Sequence, residues 1–208
     1  MSTDQATVKS YDAVAAEYAA EAAAMPEWVA TEIDAFVAKL GGSGRVLEIG
    51  SGGGRDALVL EKRGISVRRT DVSKGFVELL REKGFGADLL DPLTDDLTDT
   101  QRPGRPYDGV WACASLIHVA REDLRAVLGR LAEATRTGGP LHASVREGDG
   151  EDVSMHATGA APRRYFETYW REPALRCALA DAGWNVSEVR RYIGRPDDRW
   201  LSARASRA

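Results

Sequence analysis

Between Tyr11 and Leu40 apolar and alanine positions recur with helical spacing, interrupted at Met25-Pro26, where a proline suits the first turn of a new helix. The pattern predicts two N-terminal helices. After Gly41-Gly42-Ser43-Gly44 the period shortens, and Arg45 to Ile49 reads as a β-prone run that stops at a glycine-rich loop. Helices and strands then alternate: helix 55–62, strand 65–70, helix 73–82, a short strand at 85–87, strand 107–113, helix 122–135, strand 141–145, helix 173–182 and strand 184–191. Such alternation implies parallel pairing through right-handed crossovers. Trp200, Leu201 and Ala203 lie near period two beyond the turn-like Gly194-Arg195-Pro196-Asp197-Asp198, so the chain should end in a strand hairpinned antiparallel to its predecessor. The expected fold is α/β, with a seven-stranded, mostly parallel sheet and an antiparallel last strand. Residues 147–163 show little periodicity and read as a long loop, which in a compact domain is more often functional than idle.

At 208 residues the chain fits one domain, 1–208, comprising a helical cap over 1–40 and a core over 41–208 with a covering loop at about 147–170. Its 43% hydrophobic and 29% charged residues are ordinary for a globular protein. A net charge of -4 argues against a nucleic-acid binder, and the arginines after Arg163 are interleaved with Glu167, Glu172, Asp181 and Glu188. No run approaches the ~20 apolar residues of a membrane span, and no basic-then-apolar leader is present, so a cytoplasmic protein is expected. Cys113 and Cys177 read as small core residues. His142, Glu147, Asp149 and His156 match no established zinc spacing, so no metal is expected.

The chemistry concentrates in Val46-Leu47-Glu48-Ile49-Gly50-Ser51-Gly52-Gly53-Gly54-Arg55, a glycine-rich turn from a buried strand into a helix. In open α/β sheets that carboxyl edge is where ligands bind, and glycines let the backbone turn sharply and approach a nucleotide-like ligand. A P-loop would need Gly-Lys-Ser/Thr after the loop, and none follows. The dinucleotide fingerprint would require glycine where Arg55 stands. E-x-G-x-G-x-G remains, through Glu48, Gly50, Gly52 and Gly54. Glu48 buried without a cation would be costly, which a sulfonium or ammonium would relieve. Asp71, about twenty residues on and just past the second strand, is placed to accept hydrogen bonds from both hydroxyls of a ribose.

Over most of its length the chain resembles the class I S-adenosylmethionine-dependent methyltransferases, with a three-layer Rossmann-like fold. The resemblance implies that the loop, with Ser51, wraps the methionine part of S-adenosylmethionine, and that S-adenosylhomocysteine is the product. It implies that Asp71 holds the ribose and Val72 packs on adenine. Asp88, in Gly86-Ala87-Asp88-Leu89-Leu90-Asp91, would take the adenine amino group, with the Leu89 backbone reading the ring edge. Tyr107 to Val119, with Cys113, resembles the fourth strand and the floor beneath the transferred methyl. Thr137-Gly138-Gly139-Pro140 resembles the turn before strand five, with its proline displaced.

Ser10 to Tyr18 resembles the helix that closes over the cofactor, and the spacing of Tyr11 and Tyr18 puts both on one helical face. His118, a few residues past strand four, is the acid–base candidate, with an unperturbed pKa of about 6.5. The open side beside the methyl is expected to be covered by Tyr11, Tyr18 and Trp28 on one hand and by Tyr165, Phe166, Tyr169 and Trp170 on the other. Arg163 and Arg164 would meet an acceptor carboxylate or carbonyl. The expected acceptor is a small aromatic or apolar metabolite and the expected assembly a monomer or homodimer. No Asn-Pro-Pro-Tyr signature follows strand four, which ends Cys113-Ala114-Ser115-Leu116. An RNA or protein methyltransferase, or a non-catalytic subunit that binds the same cofactor, remains the alternative.

Overall fold

The computed structural model describes residues 3–158, 161–194 and 198–208, with the side chains of 156–158 and 161 left aside. The turn expected at Arg195-Pro196-Asp197 and the side chain of His156 lie outside the described residues. Three helices precede the sheet: α1 (Gln5–Asp12), α2 (Ala15–Glu21) and α3 (Glu27–Leu40). The single helix expected up to Met25 is broken at Ala13-Val14. There the chain turns inward to bury Val14 and Ala15. Asp4 caps α1 by accepting from the Thr7 N–H, and Gly41 closes α3 in a left-handed conformation.

Strands β1 (Gly44–Ile49), β2 (Ile65–Asp71), β3 (Asp88–Leu89), β4 (Gly109–Ala112) and β5 (Pro140–Glu147) are parallel, in the order β3-β2-β1-β4-β5. Helices α4 (Arg55–Lys62), α5 (Lys74–Glu82) and α6 (Arg121–Ala134) lie between them in sequence. β3 falls three residues later than the sequence predicts. Residues 84–85 are used to end α5, through Phe85 N–H to the Leu80 carbonyl and Gly84 N–H to the Arg81 carbonyl.

Beyond α7 (Glu172–Asp181), strands β8 (Trp184–Ile193) and β9 (Arg199–Arg207) form the expected antiparallel hairpin, and β9 inserts between β8 and β5. The departure from seven strands lies in the expected covering loop. It folds as a second hairpin, β6 (Glu151–Thr158) and β7 (Ala161–Trp170). β5 outruns β4, which ends opposite Ala143. Because β9 already occupies one edge of Arg146, β7 pairs with Arg146 and Glu147 on the other.

Leu124, Leu128 and Leu131 of α6 and Leu175 and Leu179 of α7 cover one face of the sheet. Ile33 and Phe36 of α3 with Leu60 of α4 cover the other, which makes three layers. Cys177, expected in the core, is exposed, because Leu175 and Leu179 take the buried side of α7 and the residue midway points away.

Candidate active site

The loop after β1 is held by its own backbone: the Gly50 and Ser51 N–H groups both donate to the Thr70 carbonyl, at 3.0 and 2.9 Å. Gly50 sits at φ 73°, and a Cβ there would lie 2.4 Å from that of Ser115, so the segments that follow β1 and β4 approach this closely only with glycine. Gly52, at φ 50°, has nothing within 4 Å of where a Cβ would stand, and it faces a cavity of about 1020 Å³ along the carboxyl edge.

Two buried carboxyls flank this opening. Glu48 accepts from Ser51 Oγ at 2.5 Å, and burial, reinforced by nearby Asp56, pushes its pKa up to about 8. Asp71 accepts the Gly52 N–H on one oxygen and the Ser73 N–H on the other, both at 2.8 Å, while burial raises it to about 6. Asp71 therefore shapes the glycine loop as well as facing the cavity. A backbone cradle that a Cβ would fill and a carboxylate at the end of β2 fit a nucleoside-bearing ligand. Val72, Phe76 and Cys113 complete this part of the wall. Burial pushes the Cys113 thiol well up, and Ser144 Oγ contacts it at 3.6 Å. Next to it, Ala114 has φ 55°, the one left-handed non-glycine among the described residues.

Tyr11 and Tyr18 meet edge to face at 5.3 Å in spite of the helix break, and both line the cavity. The Tyr11 hydroxyl lies 2.8 Å from His118 Nε2, and His118 Nδ1 lies 2.7 Å from the Phe166 carbonyl oxygen. A carbonyl only accepts, so in the neutral ring Nδ1 carries the proton and Nε2 accepts from Tyr11. Burial, then the neighbouring Tyr18 and Tyr165, raises the Tyr11 pKa well above its usual value. At the end of α1, Asp12 accepts from Ser73 Oγ (2.7 Å) and from the Gly75 N–H (2.9 Å), tying the helix to the segment after Asp71.

Several residues expected at the site stand elsewhere. Asp88 and Leu89 are outside the cavity lining: the Arg68 guanidinium takes the Asp88 carboxylate at 2.7 Å, and Leu89 is 55% exposed. Gly54 caps α4 rather than lining the cavity. Trp28 does line it, whereas Arg163, Arg164, Tyr165, Phe166 and Tyr169 do not. As part of β7, Arg164, Tyr165 and Phe166 brace α1. Ser10 Oγ donates to the Arg164 carbonyl and Phe166 N–H to Thr7 Oγ1, both at 2.8 Å, and Arg164 pairs with Asp4. Tyr165 packs on Tyr11 at 4.8 Å, and the Tyr169 hydroxyl turns to Glu167. Trp170 is in the core.

Residues that sequence reasoning missed take their place. Asp56, in the first turn of α4, accepts from Trp111 Nε1 at 3.0 Å and from Arg55 Nε at 2.8 Å. Arg55 also reaches the Ala22 carbonyl. Tyr192 and Trp200, cross-strand partners on β8 and β9, line the far end with Trp28. Their signal was an aromatic on either side of the last turn. Among the described residues no group of three or more His, Cys, Asp or Glu is placed to hold a metal ion, and no helix is long and apolar enough to cross a membrane.

Comparison with known proteins agrees with this geometry. Residues 46–139, a little under half of the chain, match a family model described as "Methyltransferase domain". No curated protein sequence matches the chain. Among solved structures, the 1,6-didemethyltoxoflavin-N1-methyltransferase of Burkholderia thailandensis, with bound 1,6-didemethyltoxoflavin and S-adenosylhomocysteine, is 24% identical. It covers 98% of this chain and 88% of its own, with a TM-score of 0.68. The DhpI–SAH complex is 20% identical over 98% of this chain and 96% of its own, at 0.70. The CcbJ methyltransferase of Streptomyces caelestis is 18% identical over 88% and 90%, at 0.69. At these identities the likeness speaks for the fold, and the family match speaks for the chemistry. Together they give residues 46–139 as a match to a methyltransferase domain and the chain a Rossmann-like fold shared with methyltransferases crystallised with S-adenosylhomocysteine.

Proposed function

We propose that the protein is a single-domain, cytoplasmic enzyme that methylates a small metabolite, with Tyr11 and His118 handling the acceptor's proton. The observation that carries this reading is the continuity of the cavity. One space of about 1020 Å³ runs from Asp71, Val72 and Phe76 past Cys113 and His118 to Trp28 and Trp200. Small-ligand sites span roughly 300–1,000 Å³, so there is room for an acceptor beside the cofactor. The net charge of -4 speaks against a nucleic-acid acceptor. Two structural neighbours are named for small acceptors, 1,6-didemethyltoxoflavin and magnesium protoporphyrin IX.

When bound, S-adenosylmethionine supplies an already activated methyl group. The chain's own tasks are then to bind, to orient and to exclude water. Asp71 takes the ribose hydroxyls and Val72 the adenine face. Gly50, Ser51 and Gly52 offer backbone along the methionine part, and Gly54 sets the start of α4. Glu48, nearly neutral in its dry setting, ionises beside a positively charged ligand. Tyr11 and Tyr18 close the site. An acceptor O–H or N–H passes its proton to the Tyr11 oxygen as Tyr11 hands its own to His118 Nε2, and the Phe166 carbonyl holds the other ring proton throughout.

Incubating the protein with methyl-labelled cofactor and a cell extract tests the reading. Label is expected in the small-molecule fraction. Label confined to RNA or protein, with no small acceptor competing, overturns it.

A further inference from the structure

We infer that Trp28, Tyr192 and Trp200 form the acceptor platform, and that it selects a planar aromatic molecule carrying no acidic group. This rests on the methyltransferase reading of the cavity. Trp28, in the first turn of α3, stacks on Tyr192 at 5.2 Å with ring planes 23° apart, and on Trp200 at 6.2 Å and 28°. Near-parallel rings lining one end of a cavity extend their stack to a planar ligand and bury large apolar area at small rotamer cost.

The platform is held rigid from behind. The Tyr192 hydroxyl donates to Glu32 Oε1 at 2.7 Å, and Arg204 Nε donates to Glu32 Oε2 at 2.6 Å. Arg146 lies over the Trp200 ring, 5.0 Å from its centroid. Position in the fold agrees. Trp200 begins a strand antiparallel to β5, and Tyr192 nearly ends one parallel to it, so both stand at the carboxyl edge. The glycine loop occupies the same edge over β1.

Charge decides the class. Three described arginines packed at this end are committed: Arg55 to Asp56 and the Ala22 carbonyl, Arg146 to Glu167 and Asp198, Arg204 to Glu32 and Glu188. The carboxylate of Glu27 lines the same cavity, as does that of Asp198, which is already paired with Arg146. Its lysines, Lys62 and Lys83, belong to the end of α4 and to the turn after α5. Among the described residues that line the cavity, an acidic acceptor would meet carboxylates and no uncommitted guanidinium. A neutral or cationic ring is accommodated, since aromatic faces attract cations.

The test uses the full chain saturated with S-adenosylhomocysteine and three probes, indole, tryptamine and indole-3-acetate, followed by ligand-observed NMR. Indole and tryptamine should bind, and indole-3-acetate more weakly than tryptamine. Trp28→Leu should weaken indole binding about tenfold, the loss of one stacked ring, and Trp28→Phe should restore most of it. S-adenosylhomocysteine affinity by calorimetry should stay within about twofold in both variants, because neither change touches the loop or Asp71. Unchanged indole binding in Trp28→Leu, indole-3-acetate binding as tightly as tryptamine, or no binding by any of the three overturns the inference. Failure of the wild-type chain to bind S-adenosylhomocysteine would overturn the methyltransferase reading beneath it instead.

Discussion

Over β1 and β2 the cavity wall is backbone and carboxyl groups, while over β5, β8 and β9 it is aromatic rings. The first part comes from short stretches of chain, residues 48–54 and 71–76, in which each group fixes its neighbour. The second draws on Trp28, Tyr192 and Trp200, which meet only because the sheet brings them together. A polar, locally built wall suits a ligand whose chemistry never changes. A wall of side chains from distant elements is open to exchange, which is where an enzyme family varies its acceptor. In between, Tyr11 and His118 belong to both parts, one anchored through α1 to the start of α5 and the other to β7.

The junction is where the comparison breaks most easily. With an acceptor that must lose a proton, His118→Ala should lower turnover by about a hundredfold or more. Tyr11→Phe should lose rate to a similar extent with unchanged S-adenosylhomocysteine affinity. Turnover unaltered between pH 6 and 9 in His118→Ala would remove both residues from the reaction.

Within the polar wall, Asp71→Ala removes the partner of the Gly52 and Ser73 N–H groups as well as the proposed ribose acceptor. S-adenosylhomocysteine should then bind at least about thirtyfold more weakly, from hydrogen bonds to a charged group worth about 1.5–3 kcal/mol. Equal affinities by calorimetry would sink that assignment. Indole should still reach the aromatic wall of this variant.

Glu48 sharpens the contrast through stability. Its native pKa is raised from the ordinary 4.5 to about 8, so between those values the folded chain holds a proton that the unfolded chain has released. Stability therefore falls as pH rises through that window. Glu48→Gln should raise the Tm relative to wild type at about pH 8.5, and the gap should close near pH 5. A gap that is the same at both values would mean that the carboxyl is already ionised in the ligand-free protein.

What was legible in the sequence follows the same division. The β1 loop and Asp71 could be read because their partners are sequence neighbours or lie one crossover away. Asp88 misled because nothing local shows that Arg68, two positions before its partner Thr70 on β2, captures it. The β6–β7 hairpin was missed because it exists by long-range pairing, on the length of β5 left free by β4. Its alternation is also faint: Val153 and Met155 are 41% and 61% exposed, and Asp152 and Ser154 supply no apolar face. The aromatics of β7 are expected to cover a ligand, whereas Tyr165 packs on Tyr11 of α1, Tyr169 turns to Glu167 and Trp170 lies in the core. Tyr192 and Trp200 look like ordinary strand aromatics until β9 is inserted beside β5.

The smallest effect is expected where the sequence pointed to a substrate contact. Arg164 was to meet an acceptor carboxylate, yet its guanidinium pairs with Asp4 at the N-cap of α1, 2.8 Å away, with the two side chains 44% and 35% exposed. Exposed pairs of this kind contribute about 0–1 kcal/mol. Asp4 keeps its cap interaction with the Thr7 N–H when the arginine is lost, and the Arg164 carbonyl still accepts from Ser10. Arg164→Ala should therefore lower the Tm by only a few degrees and leave binding of tryptamine and of indole-3-acetate unchanged, because the residue lies outside the cavity lining. If the variant selectively lost indole-3-acetate, β7 would face the acceptor after all. The aromatic wall would then have a basic side that selects acids.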